Sequence, residues 1–212
     1  MAFLTGGPYY DMIGRAGNNV GRKVKGRNVF SMRPSKSNKP ASLPQLNQRN
    51  KFGLLTGWTA NLNLFIDAGF RHYDAKMSPM NACISYNSKR NVIVGSTAPF
   101  TIDYSKMVLS RGKLAGISLP TVATGTGISV VFDWGANLGE NNAEPDDKLS
   151  FAVYDPTTDE FAIAMKVVNR SALSYELLLP AEFSGNMVQV WLMCTSNELV
   201  SDSVHLGPVP VG

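Results

Sequence analysis

Histidine and cysteine are nearly absent, with two of each in 212 residues. Neither His72 nor His205 has a His, Cys or carboxylate neighbour at metal-ligand spacing. No Gly-x-Ser-x-Gly elbow exists to present a nucleophile. Cys83 and Cys194 lie far apart, so two buried thiols acting as small hydrophobes are expected, not a disulfide framework. No apolar run reaches the roughly 18 residues a membrane helix needs, so no membrane span is expected. Met1–Pro8 lacks the charged and apolar regions of a secretory signal, which predicts a chain that is cytoplasmic at synthesis. The acidic loop 140–147 lacks the ligand spacing of a calcium loop. Gly17-Asn18-Asn19-Val20-Gly21-Arg22-Lys23 lacks the spacing of a phosphate loop. These absences predict a protein that is not an enzyme and uses no metal or cofactor.

What is present is unevenly distributed charge. Residues 1–51 carry ten Lys/Arg and one acid, residues 52–98 a net +2, and residues 99–212 a net −7, within a total of +4. A basic front and an acidic back suggest a polyanion partner or attraction between copies. Val20, Arg22 and Val24 before Lys25-Gly26, and Val29 and Phe30 after it, predict a β-hairpin. Such a hairpin has too little apolar surface to stand alone and must lie on something. Arg15, Arg22, Lys23, Lys25, Arg27, Arg33, Lys36 and Lys39 are the candidate assembly or polyanion contacts. Glu144, Asp146 and Asp147 are candidate acidic counterparts on an adjacent copy. Tyr9, Tyr10, Phe30 and Trp58 are candidate partner-facing apolar residues. Residues 1–41 therefore form a basic extended arm with a hairpin, ending in a Pro/Ser/Lys linker.

Residues 42–98 read as helical. Ser42, Pro44 and Gln45 start a helix whose apolar residues, from Leu46 to Phe70, keep helical spacing. If continuous to Tyr73 it would be about 45 Å long. Ser78-Pro79 starts a second, shorter helix ending near Asn87.

Residues 99–212 read as short strands: 104–110, 128–134, 149–154, 161–167, 174–179, 188–194 and 200–206. Period-two alternation at Phe151/Val153, Tyr175/Leu177/Leu179 and Val188/Val190/Leu192 predicts an antiparallel sandwich of immunoglobulin-like type. The expected class is thus α+β: basic arm with hairpin, one long and one short helix, then the sandwich. With its own turns and strands, the sandwich is expected to be independent of the front.

Two resemblances follow. Ile128–Trp134 resembles the second strand of a fibronectin type III domain, with Trp134 as its core tryptophan. Leu177–Pro180, Val188–Cys194 and Ser201–Val204 are similar to that fold's last three strands; where many such domains carry a tyrosine, this chain has Met187 or Val188. Over nearly the full length, Gly17–Gly21, Lys25–Val29, Arg33-Pro34, the Lys39-Pro40 linker, Asn81-Ala82, Ser85–Asn87 and Ile102–Lys106 together resemble a domain-of-unknown-function family of about this length. That family is common in Bacteroidota and found in their phages. The resemblance implies no activity, but it implies a virion or other assembled particle as a setting. The expected function is a self-assembling structural protein whose partners are copies of itself and other particle proteins. Nucleic-acid binding by the arm is the second expectation, and adhesion or carbohydrate binding through the sandwich loops the third.

Overall fold

The hairpin forms where Val and Arg alternate, with strand β3 (Asn19–Val24) paired to β4 (Arg27–Met32) and Gly26 in the turn between them. Gly26 has φ +77°, a conformation side-chain-bearing residues resist. This computed structural model describes residues 2–24, 26–35, 38–137 and 142–212. Lys25 and Lys36, both candidate contacts, and the start of the acidic loop lie outside the described residues.

Two compact units result, Met1–Leu43 and Pro44–Gly212. In the first, the hairpin is flanked on both sides by its own chain. Short strands β1 (Ala2–Leu4) and β2 (Gly14–Ala16) complete a four-stranded antiparallel sheet in the order β1-β4-β3-β2. The expected extended arm is therefore a small sheet. Three-residue strands interrupted by Gly6, Gly7 and Pro8 are too short for alternation to reveal.

The second unit opens with helix α1 (Leu43–Ala60), then α2 (Asn63–Gly69) and α3 (Pro79–Lys89). The long helix stops at Ala60 and does not run to Tyr73. Thr59 turns its hydroxyl back onto the Leu55 carbonyl at 2.9 Å, a bond that competes with the helix ladder. The chain then turns at residues 61–62, where Leu62 N–H bonds Thr59 O at 3.0 Å. Apolar spacing continues across the break because both helices face one core. Helix α3 begins as expected, with Ser78 capping Asn81 N–H and Pro79 in the first turn.

A two-stranded ladder, β5 (Ile93–Val94) with β6 (Thr101–Ile102), leads to the sandwich. One sheet is β11-β8-β7, made of β7 (Ser118–Thr124), β8 (Ser129–Gly135) and β11 (Ser174–Leu178). The other is β10-β9-β12-β13, made of β9 (Lys148–Asp155), β10 (Glu160–Asn169), β12 (Met187–Thr195) and β13 (Val204–Pro210). All pairings are antiparallel. Three strands facing four, with neighbours drawn from distant parts of the chain, is compatible with an immunoglobulin-like fold. The chain is thus α+β, with a C-terminal antiparallel sandwich.

Two strands depart from expectation. Residues 104–110 are a 3₁₀ turn, Tyr104–Lys106, followed by an extended run whose polar groups bond side chains. Val108 N–H and C=O pair with the Asn87 side chain at 2.9 and 2.7 Å. Leu109 N–H bonds Ser203 Oγ at 2.9 Å, and Met107 C=O accepts from Trp191 Nε1 at 3.1 Å. The last strand lies a few residues later than expected, at Val204–Pro210. Its two prolines do not interrupt it because β13 is a sheet edge.

The four-stranded sheet is buried on both faces. From β9 and β12, Leu149, Phe151, Val153, Val188, Val190, Leu192 and Cys194 pack against Val130, Phe132 and Trp134 of the other sheet. The alternate residues Ala152, Tyr154, Trp191 and Met193 join Leu55, Trp58, Leu62, Phe65, Ile66, Phe70 and Cys83 of the helices. The unit therefore has three layers, sheet on sheet on helices. Residues 42–98 and 99–212, expected as separate segments, share this second core, so the boundary near residue 99 falls inside one packed body.

Candidate interaction surface

The basic residues are sorted by strand alternation. Register pairs Arg15 with Val20, Arg22 with Val29, Val24 with Arg27, and Phe3 with Val29. Cross-strand partners share a face, so Arg15, Arg22, Arg27, Phe3, Val20, Val24 and Val29 lie on one side of the sheet. All three arginines are exposed. The Arg27 guanidinium lies 5.9 Å from the centre of the Phe3 ring, and Arg15 Nε donates to Gly17 O at 3.1 Å.

The opposite side holds Gly21, Lys23, Asn28, Phe30 and Met32, and the loop before β2 folds over part of it. Tyr9 stacks on Phe30 with centroids 5.8 Å apart. Gly21 is required here: a Cβ would stand 2.2 Å from the Met12 carbonyl oxygen. Lys23 Nζ reaches Asp11 at 4.0 Å, an exposed pair that adds little stability. Arg33 and Lys39 lie beyond β4, both exposed.

Of the apolar candidates, Tyr9 and Tyr10 keep much of their surface in water and Phe30 is half-buried under Tyr9. Trp58 lies mostly inside the chain, with only a margin reaching a groove along α1. It is 7% exposed and packs edge-on against Phe161, Tyr154 and Trp191 at 5.0, 5.4 and 5.7 Å. The outer face of the four-stranded sheet supplies these rings, and that face was not visible as a surface from sequence.

The acidic candidates divide. Glu144 and Asp146 are exposed and line a cleft of about 720 Å³ with Glu198, but Lys148 and Lys166 line it too. Asp147 is taken up internally. It is buried against Arg170, with Nε and Nη2 each 3.0 Å from Oδ2. The remaining Arg170 donors bond Gly116 O, Asn137 Oδ1 and Ala115 O at 2.8–3.0 Å. Trp134 Nε1 donates to the Arg170 carbonyl at 2.7 Å. This network ties three loops to the sandwich core, and its residues carry no sequence motif that would have marked them.

His72 is exposed, and His205 contacts Gln189 Oε1 at 2.9 Å. Among the described residues, no three His, Cys, Asp or Glu are grouped to hold a metal ion. No helix among them is long and apolar enough to cross a membrane.

A helix-backed antiparallel sandwich preceded by a basic sheet defines the class of α+β protein. Within it, the chain belongs to a family of unknown function, DUF6266, whose sequence profile matches residues 11–207. That match takes in most of the basic sheet, the helices and the sandwich as one unit of sequence. No curated protein matches the chain.

Proposed function

We propose that this chain is a non-enzymatic structural protein that assembles with copies of itself through residues 1–43, as a component of a phage virion or similar large particle. The carrying observation is the outward placement of apolar side chains in the N-terminal sheet. Phe3, Ile13 and Met32 are 61%, 74% and 75% exposed. Ordering a residue costs about 1–2 kcal/mol of backbone entropy. A large side chain returns about 1.5–3 kcal/mol only when buried, so this sheet gains from a further surface. The outer strands β1 and β2 offer unpaired edges for strand addition by a neighbouring copy. The particle setting rests on the family resemblance alone.

Deleting residues 1–41 tests the reading by light scattering. The expected product is a folded monomer from a wild-type chain that assembles. A truncated chain forming the wild-type oligomer removes the sheet as the assembly element.

Nucleic-acid binding is a second reading, favoured by Arg15, Arg22 and Arg27 on one face. It requires a DNA or RNA mobility shift that weakens steeply with salt.

A further inference from the structure

A groove of about 570 Å³ runs along α1, walled by Trp58, Phe100, Tyr104, Tyr154 and Phe161. On the α1 side Leu54 and Asn61 also line it, but two positions there carry no side chain. Gly53 and Gly57, one turn apart on α1, line the groove, and a Cβ on either would meet nothing within 4 Å. Glycine within a helix costs about 1 kcal/mol relative to alanine, so this open space is kept against helix propensity.

The polar groups are few and unevenly satisfied. Asp159 is exposed; its Oδ1 accepts from the Tyr154 hydroxyl at 2.7 Å, and Oδ2 has no hydrogen bond among the described residues. The Trp58 indole N–H is buried with no acceptor among those residues. No Lys or Arg lines the groove, although Lys51 Nζ sits 5.0 Å over the Phe100 ring at its rim. Aromatic faces beside one under-used carboxylate suit a guanidinium, which stacks on rings and forks onto a carboxylate.

We propose that this groove receives the Arg15 guanidinium from the N-terminal sheet of a second copy, with Asp159 as its counter-ion. The inference rests on the assembly reading and gives it a receptor. Charge complementarity selects the occupant, because residues 1–43 carry eight Lys/Arg and one acid. Geometry selects Arg15. It stands on the outermost strand β2 between Gly14 and Ala16, whose small side chains allow close approach to the glycine floor. Arg22 is on an inner strand and Arg27 lies over the Phe3 ring, whereas Arg15 engages Gly17 O through Nε and can still present its terminal nitrogens.

The test uses the full chain and three variants, compared by light scattering across a concentration series. Gly57→Leu fills the groove at an open helical position, Asp159→Asn removes the charge while keeping a residue that tolerates φ 58°, and Arg15→Glu reverses the ligand. Melting temperatures confirm folding. Each variant is expected to raise the dissociation constant of the assembly about tenfold or more, the scale of a desolvated cation–π contact with its ion pair. Wild-type assembly in all three folded variants, with assembly still lost on deleting residues 1–41, overturns this inference alone. A monomeric wild-type chain overturns the assembly reading and this inference with it.

Discussion

Trp134 anchors the sandwich in two ways, by its packing near Phe151 and by its hydrogen bond to the Arg170 carbonyl. Trp134→Ala should therefore cost about 3–5 kcal/mol, the range for large-to-small changes in a core. An unchanged urea midpoint would contradict the packing described. Two other residues report on the same interior. Burial pushes both thiols up to about 12, against a weaker opposing bond from Asn87 at Cys83 and the nearby Arg170 charge at Cys194. Neither cysteine should react with a disulfide reagent at neutral pH until the chain unfolds, and both should react in denaturant. Rapid labelling of either in the native protein would contradict the burial of its core. His205 adds a pH signature. Burial lowers its pKa below 6.5, with Asp103 opposing. The unfolded chain then binds the proton more readily, so this group's contribution is present above about pH 6.5 and is lost as pH falls through the lowered value. The urea midpoint of the wild-type chain should drop between about pH 7.5 and 5 more than that of His205→Gln. Equal drops would remove His205 as a source of the dependence.

At the scale of elements, the helices are the outer wall of the sandwich. Without them, Trp191, Met193, Ala152 and Tyr154 would face water on one sheet. Residues 99–212 alone should therefore aggregate or bind a hydrophobic dye, whereas residues 44–212 should stay folded and monomeric. A well-folded 99–212 fragment would show that the sheet does not need this cover. The sequence contained part of this arrangement. Val188, Val190 and Leu192 alternate cleanly, and that pattern placed β12 and its inner face. Trp191 and Met193 fill the intervening positions, which is the continuous apolar run of a strand buried on both sides. Strand β7 was missed because Leu119 and Pro120 break its alternation on an exposed edge. The helix break at 61–62 was invisible because Leu62, Phe65 and Ile66 preserve helical spacing through it. In the interaction surface, the basic residues were legible as a composition, and only the strand register sorted three arginines onto one face. Arg170 and Asp147 were not legible as a pair, since they meet across 23 residues.

For the whole molecule, the separation of charge is the organising fact. The first unit carries a net +7 and the second a net −3, which sum to the chain's +4. Opposite charge on two units favours contact between copies and speeds their encounter at low salt. The same basic unit would favour nucleic acid, so mass and bound material must be read together. Size-exclusion chromatography with light scattering and absorbance at 260 and 280 nm does this in one run. The account predicts a mass several times the 23.0 kDa of one chain, with a protein-like absorbance ratio. A 23.0 kDa monomer, or a species that exists only with bound nucleic acid and falls apart in salt, would contradict it.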